Sequence, residues 1–234
     1  MTSRRNEKAE ALAKIKKSKP QVGRIISTRD KQYKFLIVCE GEKTEPNYFR
    51  SLIKDSKYSR VVDANIEGEG MSTCALVKRT LELKKEFEES RNIPFDRVWV
   101  VFDKDDFKDF NEAIELAKKL KIKAAWSNES FELWYCLHFE YLDTAIKRDS
   151  YIKKLNTEIR KLKKDKQFKY KKNDANFYVL LKSIGNEDNA KKFAKRLRKQ
   201  YSGTDYSTHK PCTMVDLLVE ELEYPEKNLA RFNL

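Results

Sequence analysis

Two short stretches gather carboxylates where an apolar run ends. In IVCEGEKTEPNYF, residues 37–49, Glu40, Glu42 and Glu45 follow the oily segment, and in VVFDKDDF, residues 100–107, Asp103, Asp105 and Asp106 do the same. Carboxylates placed together repel one another and raise each other's pKa. A divalent cation removes that conflict. Asp103 and Asp105 are two apart, so in locally extended chain they face the same way and can grip one ion together. An all-oxygen donor set suits Mg²⁺ or Mn²⁺ rather than zinc. Such an ion, or a pair of them, binds phosphate oxygens, activates an attacking water and stabilises the leaving oxygen of a phosphodiester. For any single acid, helix capping or a solvated loop is a sufficient explanation, as it is for Glu42. Two clusters at equivalent places in the chain are harder to explain that way.

The elements around these acids must bring them to one crevice. YKFLIVC, residues 33–39, is short, apolar and partly β-branched, which predicts a strand buried on both faces. Thr44 is placed to cap a helix that opens with Glu45 and Pro46 and carries Tyr48, Phe49, Leu52 and Ile53 on its apolar face. VVDANI, 61–66, and RVWVVFD, 97–103, predict the second and third strands. IKAAWS, 122–127, predicts the fourth. Between them, EGEGMST reads as a flexible turn without the spacing of a phosphate-binding P-loop. Ser72 or Thr73 then caps a helix to about Ser90, Asp109 caps a helix over 110–120, and residues 130–139 form a largely buried helix.

Strands alternating with helices through short links predict an α/β fold, a Rossmann-like parallel sheet flanked by helices. Ligands of such sheets bind beyond the carboxyl ends of the strands. Glu40, Asp103, Asp105 and Asp106 fall there, and the fourth strand brings Asn128, Ser130 and Glu132 to the same rim. From residue 147 onward the pattern is helical and basic, with helices expected at about 149–165, 174–183, 187–201 and 212–223. The chain thus divides into a basic arm (1–32), an α/β core (33–142) and a basic helical C-terminal region (143–234).

The charge is spread to match. Residues 1–34 carry 11 Lys and Arg against 3 acids and residues 143–204 carry 19 against 7, whereas residues 35–142 carry 17 against 21. An acidic centre between basic flanks suits a metal site approached by a polyanion. Tyr151, Phe168, Tyr170, Phe177 and Tyr178, interleaved with the lysines, supply rings for stacking on unpaired bases, with about half expected in the core. Cys39, Cys74, Cys136 and Cys212 lie more than thirty residues apart and form no zinc pattern with His138 and His209. His138 reads as a hydrogen-bonded core histidine, and His209 sits in a polar loop beside Lys210. No window is apolar enough for a membrane span and the N-terminus lacks a secretory h-region, so a cytoplasmic protein is expected.

IVCEGEKTEPNYF, DKDDF and NESFELWYCLHF together resemble the RloB-like family, over about residues 24–223 including the TMVDLLVEEL helix. The resemblance implies a TOPRIM (topoisomerase-primase) core. It implies Glu40 as a general acid or base that also helps hold metal, Asp103 and Asp105 as metal ligands, and Glu45 as a second catalytic acid by analogy with overcoming-lysogenization nucleases. It also implies anti-phage defence by abortive infection, beside an AAA-type ATPase partner of the RloA kind. Some TOPRIM relatives in such systems cut tRNA. Asp106 has no counterpart role, and the SFELW segment no derived chemistry.

These readings predict an Mg²⁺- or Mn²⁺-dependent endonuclease acting on RNA or DNA. The rival is a non-catalytic nucleic-acid-binding scaffold or sensor subunit of an ATPase-containing complex. Nucleotidyl transfer and strand rejoining are less favoured, for want of a nucleoside triphosphate pocket and a marked nucleophilic tyrosine.

Overall fold

The computed structural model describes residues 32–59 and 62–227. The basic arm expected over 1–32 lies outside them, Gln32 apart. Four parallel strands, β1 (Tyr33–Cys39), β2 (Val62–Gly68), β3 (Arg97–Lys104) and β4 (Lys123–Asn128), form one sheet in the order β2-β1-β3-β4. Phe35 to Cys39 of β1 and Val100 to Phe102 of β3 are buried, as apolar runs covered on both faces must be. The winding reverses between β1 and β3, so a crevice opens at their carboxyl ends. The first two residues of EGEGMST belong to β2 rather than to a turn. Gly68 is required there by close approach, since a Cβ would stand 2.7 Å from the Gly41 carbonyl and 2.8 Å from Glu42 Cα.

The helices are α1 (Thr44–Ile53), α2 (Ser56–Ser59), α3 (Thr73–Arg91), α4 (Phe110–Lys119), α5 (Glu132–Leu137), α6 (Arg148–Lys163), α7 (Phe177–Ile184), α8 (Glu187–Arg198) and α9 (Val215–Glu223), with a 3₁₀ turn at Tyr206–Thr208. The helix expected over 130–139 is shorter because both its ends tighten into three-residue bonds, Leu133 N to Ser130 O and Phe139 N to Cys136 O. Thr44 does not cap α1. Its hydroxyl donates to the Lys172 carbonyl at 2.8 Å, and Asn47 and Ser51 donate in turn to the carbonyls of Asn173 and Ala175, which laces α1 to the basic C-terminal segment. Asp109 precedes α4 yet caps its neighbour α3, accepting from Thr73 Oγ1 at 2.8 Å and from the Cys74 amide at 3.0 Å.

The C-terminal region closes the sheet. Residues 212–214 run along the free edge of β4, with Asn128 N donating to Cys212 O and Met214 N to Trp126 O, both at 2.8 Å. α9 is fastened by Glu221, fully buried, which accepts from Arg97 (2.8 Å), Lys123 (2.6 Å) and the Trp99 indole (2.7 Å). Behind the crevice, Tyr48 of α1 packs its ring edge-to-face or tilted against Phe49, Phe131, Tyr135 and Tyr178, and its hydroxyl accepts from Trp134 Nε1 at 2.8 Å.

The expectation of base-stacking rings fails for most of the named aromatics. Tyr151, Tyr170, Phe177 and Tyr178 are buried and Phe168 is half-buried: Tyr151 lies on the apolar stripe of α6, Phe177 and Tyr178 on that of α7, and Phe168 and Tyr170 pack inward from the segment between the two helices. All four cysteines are free thiols, with Cys39, Cys136 and Cys212 buried. Among the described residues, no helix is long and apolar enough to cross a membrane.

Candidate functional site

Glu40 leaves β1 at the point where the sheet reverses, and its side chain turns toward β3. There Oε2 accepts the backbone amide of Asp103 at 3.0 Å. The Asp103 carboxylate in turn accepts the Phe131 amide at 3.0 Å, which ties β3 to the segment after β4. Three strand ends are thus joined through two carboxylates. Glu45, in the first turn of α1, is 7% exposed and folds back over Gly41, where a Cβ would lie only 2.1 Å from its Oε2. Glu132, at the start of α5, is 2% exposed and accepts from the hydroxyls of Ser130 (2.6 Å) and Tyr170 (3.1 Å), with Lys172 Nζ at 4.0 Å.

These carboxylates perturb one another. Burial, with the charges of Asp105 and Glu45 adding, raises Glu40 to about 7. Burial likewise pushes Asp103 well above the ordinary carboxylate range, reinforced by Glu45 and Glu132. Glu45 moves the same way, from burial first and the charge of Glu132 second. Its Oε2 is buried without a hydrogen-bond partner. A buried oxygen left unpaired costs free energy that a ligand or a proton recovers.

Asp105 lies just past β3 and is held by Arg148, whose Nη2 stands 2.6 Å from Asp105 Oδ1 and 3.9 Å from Asp103 Oδ2. Glu129 adopts φ 80°, a left-handed conformation that strains a residue with a side chain. Its carbonyl accepts from Arg148 and its carboxylate pairs with Lys210. An open depression of about 460 Å³ adjoins these groups, lined by Lys104, Asp105, Asp106, Glu129, Lys147, Arg148, Asp149 and Lys210. Lysines 161, 163, 164, 166, 169 and 171 are all exposed and make the end of α6 and the segment that delivers Tyr170 to Glu132 strongly basic.

The acids named from sequence therefore meet in one crevice without closing on a common point. Among the described residues, no three carboxylate, imidazole or thiol groups form a ready coordination set. The donor chemistry nonetheless fits a hard divalent ion, since the groups are oxygens, one of them unpartnered, and a guanidinium already sits against two. Asp106 is exposed at the lip of the depression. His138 is a core residue, with Nδ1 2.9 Å from Trp134 O and burial lowering its pKa to about 4. His209 is buried too, stacked on Tyr201 at 5.0 Å and turned away from the carboxylates by its contact with Ser202 O. Arg148 and Lys172 were not legible in the sequence, and Tyr170 was read there for a different role. Arg148 opens a basic helix while Tyr170 and Lys172 lie in the lysine-rich segment after it, and tertiary packing brings them here.

No curated protein and no solved structure matches the chain. A family model described as RloB-like protein matches residues 35–222, a span that holds every carboxylate of the crevice and the helices packed behind it. On that match, the chain belongs to the RloB-like protein family.

Proposed function

We propose that this chain is a metal-dependent nuclease of the TOPRIM type, hydrolysing phosphodiester bonds of RNA, such as tRNA, or of DNA in prokaryotic anti-phage defence. The observation that carries the reading is the Glu40 carboxylate fixed on the Asp103 amide at the topological switch point, with Glu45 and its unpartnered oxygen beside it. Glu40, Asp103 and Asp105 would hold Mg²⁺ or Mn²⁺, with Glu45 supporting. When bound, the ion supplies Lewis-acid stabilisation of charge on the phosphodiester. Glu40, raised to about 7, exchanges a proton near neutrality and suits the general acid or base role. The Asp103 amide holds the Glu40 carboxylate, and the Phe131 amide holds that of Asp103. The exposed lysines hold backbone phosphates without reading sequence, which makes affinity strongly salt-dependent. Membership of the RloB-like family supports a defence role, for which we propose an AAA-type ATPase partner of the RloA kind.

The test is cleavage of total tRNA and of plasmid DNA by the purified chain, alone and with a co-expressed neighbouring ATPase, in Mg²⁺ or Mn²⁺ against EDTA. Glu40→Ala and Asp103→Ala are expected to abolish cutting while nucleic-acid binding persists. A second reading, a non-catalytic scaffold or sensor, is favoured by one observation, the absence of a closed coordination set among the described residues. It predicts no cutting under any of these conditions and binding that survives alanine at Glu40, Asp103 and Asp105.

A further inference from the structure

Arg148 opens α6 and reaches back over the ends of β3 and β4. Its guanidinium pairs directly with Asp105 Oδ1 at 2.6 Å and lies 3.9 Å from Asp103 Oδ2, beside the oxygens a cation would use, and Nε and Nη2 also donate to the Glu129 carbonyl at 3.2 and 3.0 Å. The side chain is 34% exposed, so it can swing into the adjoining depression without uncovering the core. Around that depression stand four cations, Lys104, Lys147, Arg148 and Lys210, against four acids, Asp105, Asp106, Glu129 and Asp149. In this balanced state a phosphodiester meets no net attraction from the lining.

We propose that Arg148 holds the place of the divalent cation and, once displaced by it, becomes a phosphate-binding residue, so that metal and nucleic acid bind cooperatively. The inference rests on the metal-dependent reading given above. A divalent ion on Asp105 and Asp103 would repel the guanidinium beside them and draw on the same carboxylate charge, so metal uptake weakens the Arg148 pairs. It adds two positive charges at the strand ends and frees a third beside them. The planar fork of arginine matches two phosphate oxygens, which a lysine's point charge does not. Linkage then requires the converse: nucleic acid that captures Arg148 tightens metal binding by the same factor.

Mn²⁺ titrated into the full chain and followed by the loss of its free electron paramagnetic resonance signal tests the competition. Arg148→Gln is expected to bind Mn²⁺ about fivefold tighter than the wild type, because the competing cation is gone. Fluorescence anisotropy of a labelled single-stranded oligonucleotide tests the second half. Ca²⁺ is expected to tighten wild-type binding about fivefold and Arg148→Gln by clearly less, since the variant keeps the attraction of the ion but has no guanidinium to release. Mn²⁺ affinity in folded Arg148→Gln that equals or falls below the wild type overturns the inference and leaves the metal reading standing. Should neither protein bind Mn²⁺, the metal reading fails first and the inference with it. Since Arg148→Gln also loses the Glu129 carbonyl bonds, Arg148→Lys serves where the first variant does not fold. It keeps the charge without the fork, so it is expected to show less Ca²⁺ stimulation than the wild type, and wild-type stimulation would overturn the proposal.

Discussion

The amide of Asp103 donates to Glu40 Oε2 at 3.0 Å, so the acid that ends β1 is oriented by the backbone of the strand that carries the other acids. That bond does not depend on metal. It fixes Glu40 in a partly desolvated place where its neighbours are also acidic, and the proton it holds to about pH 7 follows from that placement.

The first prediction concerns pH. An unfolded chain releases this proton near 4.5, whereas the folded one keeps it to about 7, so the folded state binds more protons in between and stability falls as pH rises across that window. In EDTA, urea denaturation from pH 5 to 8 should show the wild type losing about 2 kcal/mol relative to Glu40→Gln, after allowance for the water that still reaches the carboxylate. A constant difference between the two proteins would show that Glu40 titrates normally.

Glu45 offers a second test. Replacing a buried, unpartnered carboxylate oxygen with an amide lets the neighbouring acids accept a hydrogen bond and removes a charge that Glu132 opposes. Glu45→Gln is expected to stabilise the metal-free protein by about 1 kcal/mol at pH 8. Added Mn²⁺ should raise the melting temperature of the wild type more than that of the variant. Equal gains would remove Glu45 from the metal site.

Two glycines should respond differently to alanine. At Gly41 the new methyl meets the end of the flexible Glu45 side chain, so Gly41→Ala should keep its fold and lose metal-dependent cutting as Glu45 is pushed aside. At Gly68 it meets backbone at 2.7 and 2.8 Å, so Gly68→Ala should unfold more readily, by about 2 kcal/mol. Thermal melts alongside cleavage assays separate the two outcomes.

Asp109→Ala should cost about 1 kcal/mol, the worth of a lost helix cap, although the helix that loses it is α3. Despite partial burial, the bonds from Thr73 and Cys74 hold the Asp109 carboxyl below its ordinary value. Its contribution is therefore present at neutral pH and disappears as pH falls through the acid range. Guanidinium melts of the pair at pH 7 and pH 3 would measure both.

Much of this architecture is legible in the sequence for a physical reason. Strands such as β1 and β3, covered on both faces, must be apolar throughout, and the acids that end them necessarily share the crevice of a parallel sheet. Arg148, Tyr170 and Lys172 obey no such local rule. Tyr170 and Lys172 reach Glu132 on a segment laced to α1 across more than a hundred positions, and Arg148 reaches Asp105 from the first turn of α6. The buried rings at Tyr151, Tyr170, Phe177 and Tyr178 mislead for a related reason: aromatic residues among lysines read the same in sequence whether they pack on a core or face a base. Likewise, Asp109 has the sequence of a cap for the helix it precedes, and only the adjacency of α3 and α4 decides which helix receives it.

The ring cluster at Tyr48 has a bearing on the acids in front of it. Glu45 lies on the same helix as Tyr48, and Glu132 on the same helix as Tyr135 and Trp134, so the contacts that weld α1 to α5 also press two like charges toward each other. Each aromatic pair contributes about 1 kcal/mol beyond its buried area and so works against the repulsion of the two carboxylates. The oily interior thus acts as a vice: it maintains in the resting protein an electrostatic tension that only a cation or a proton can relax.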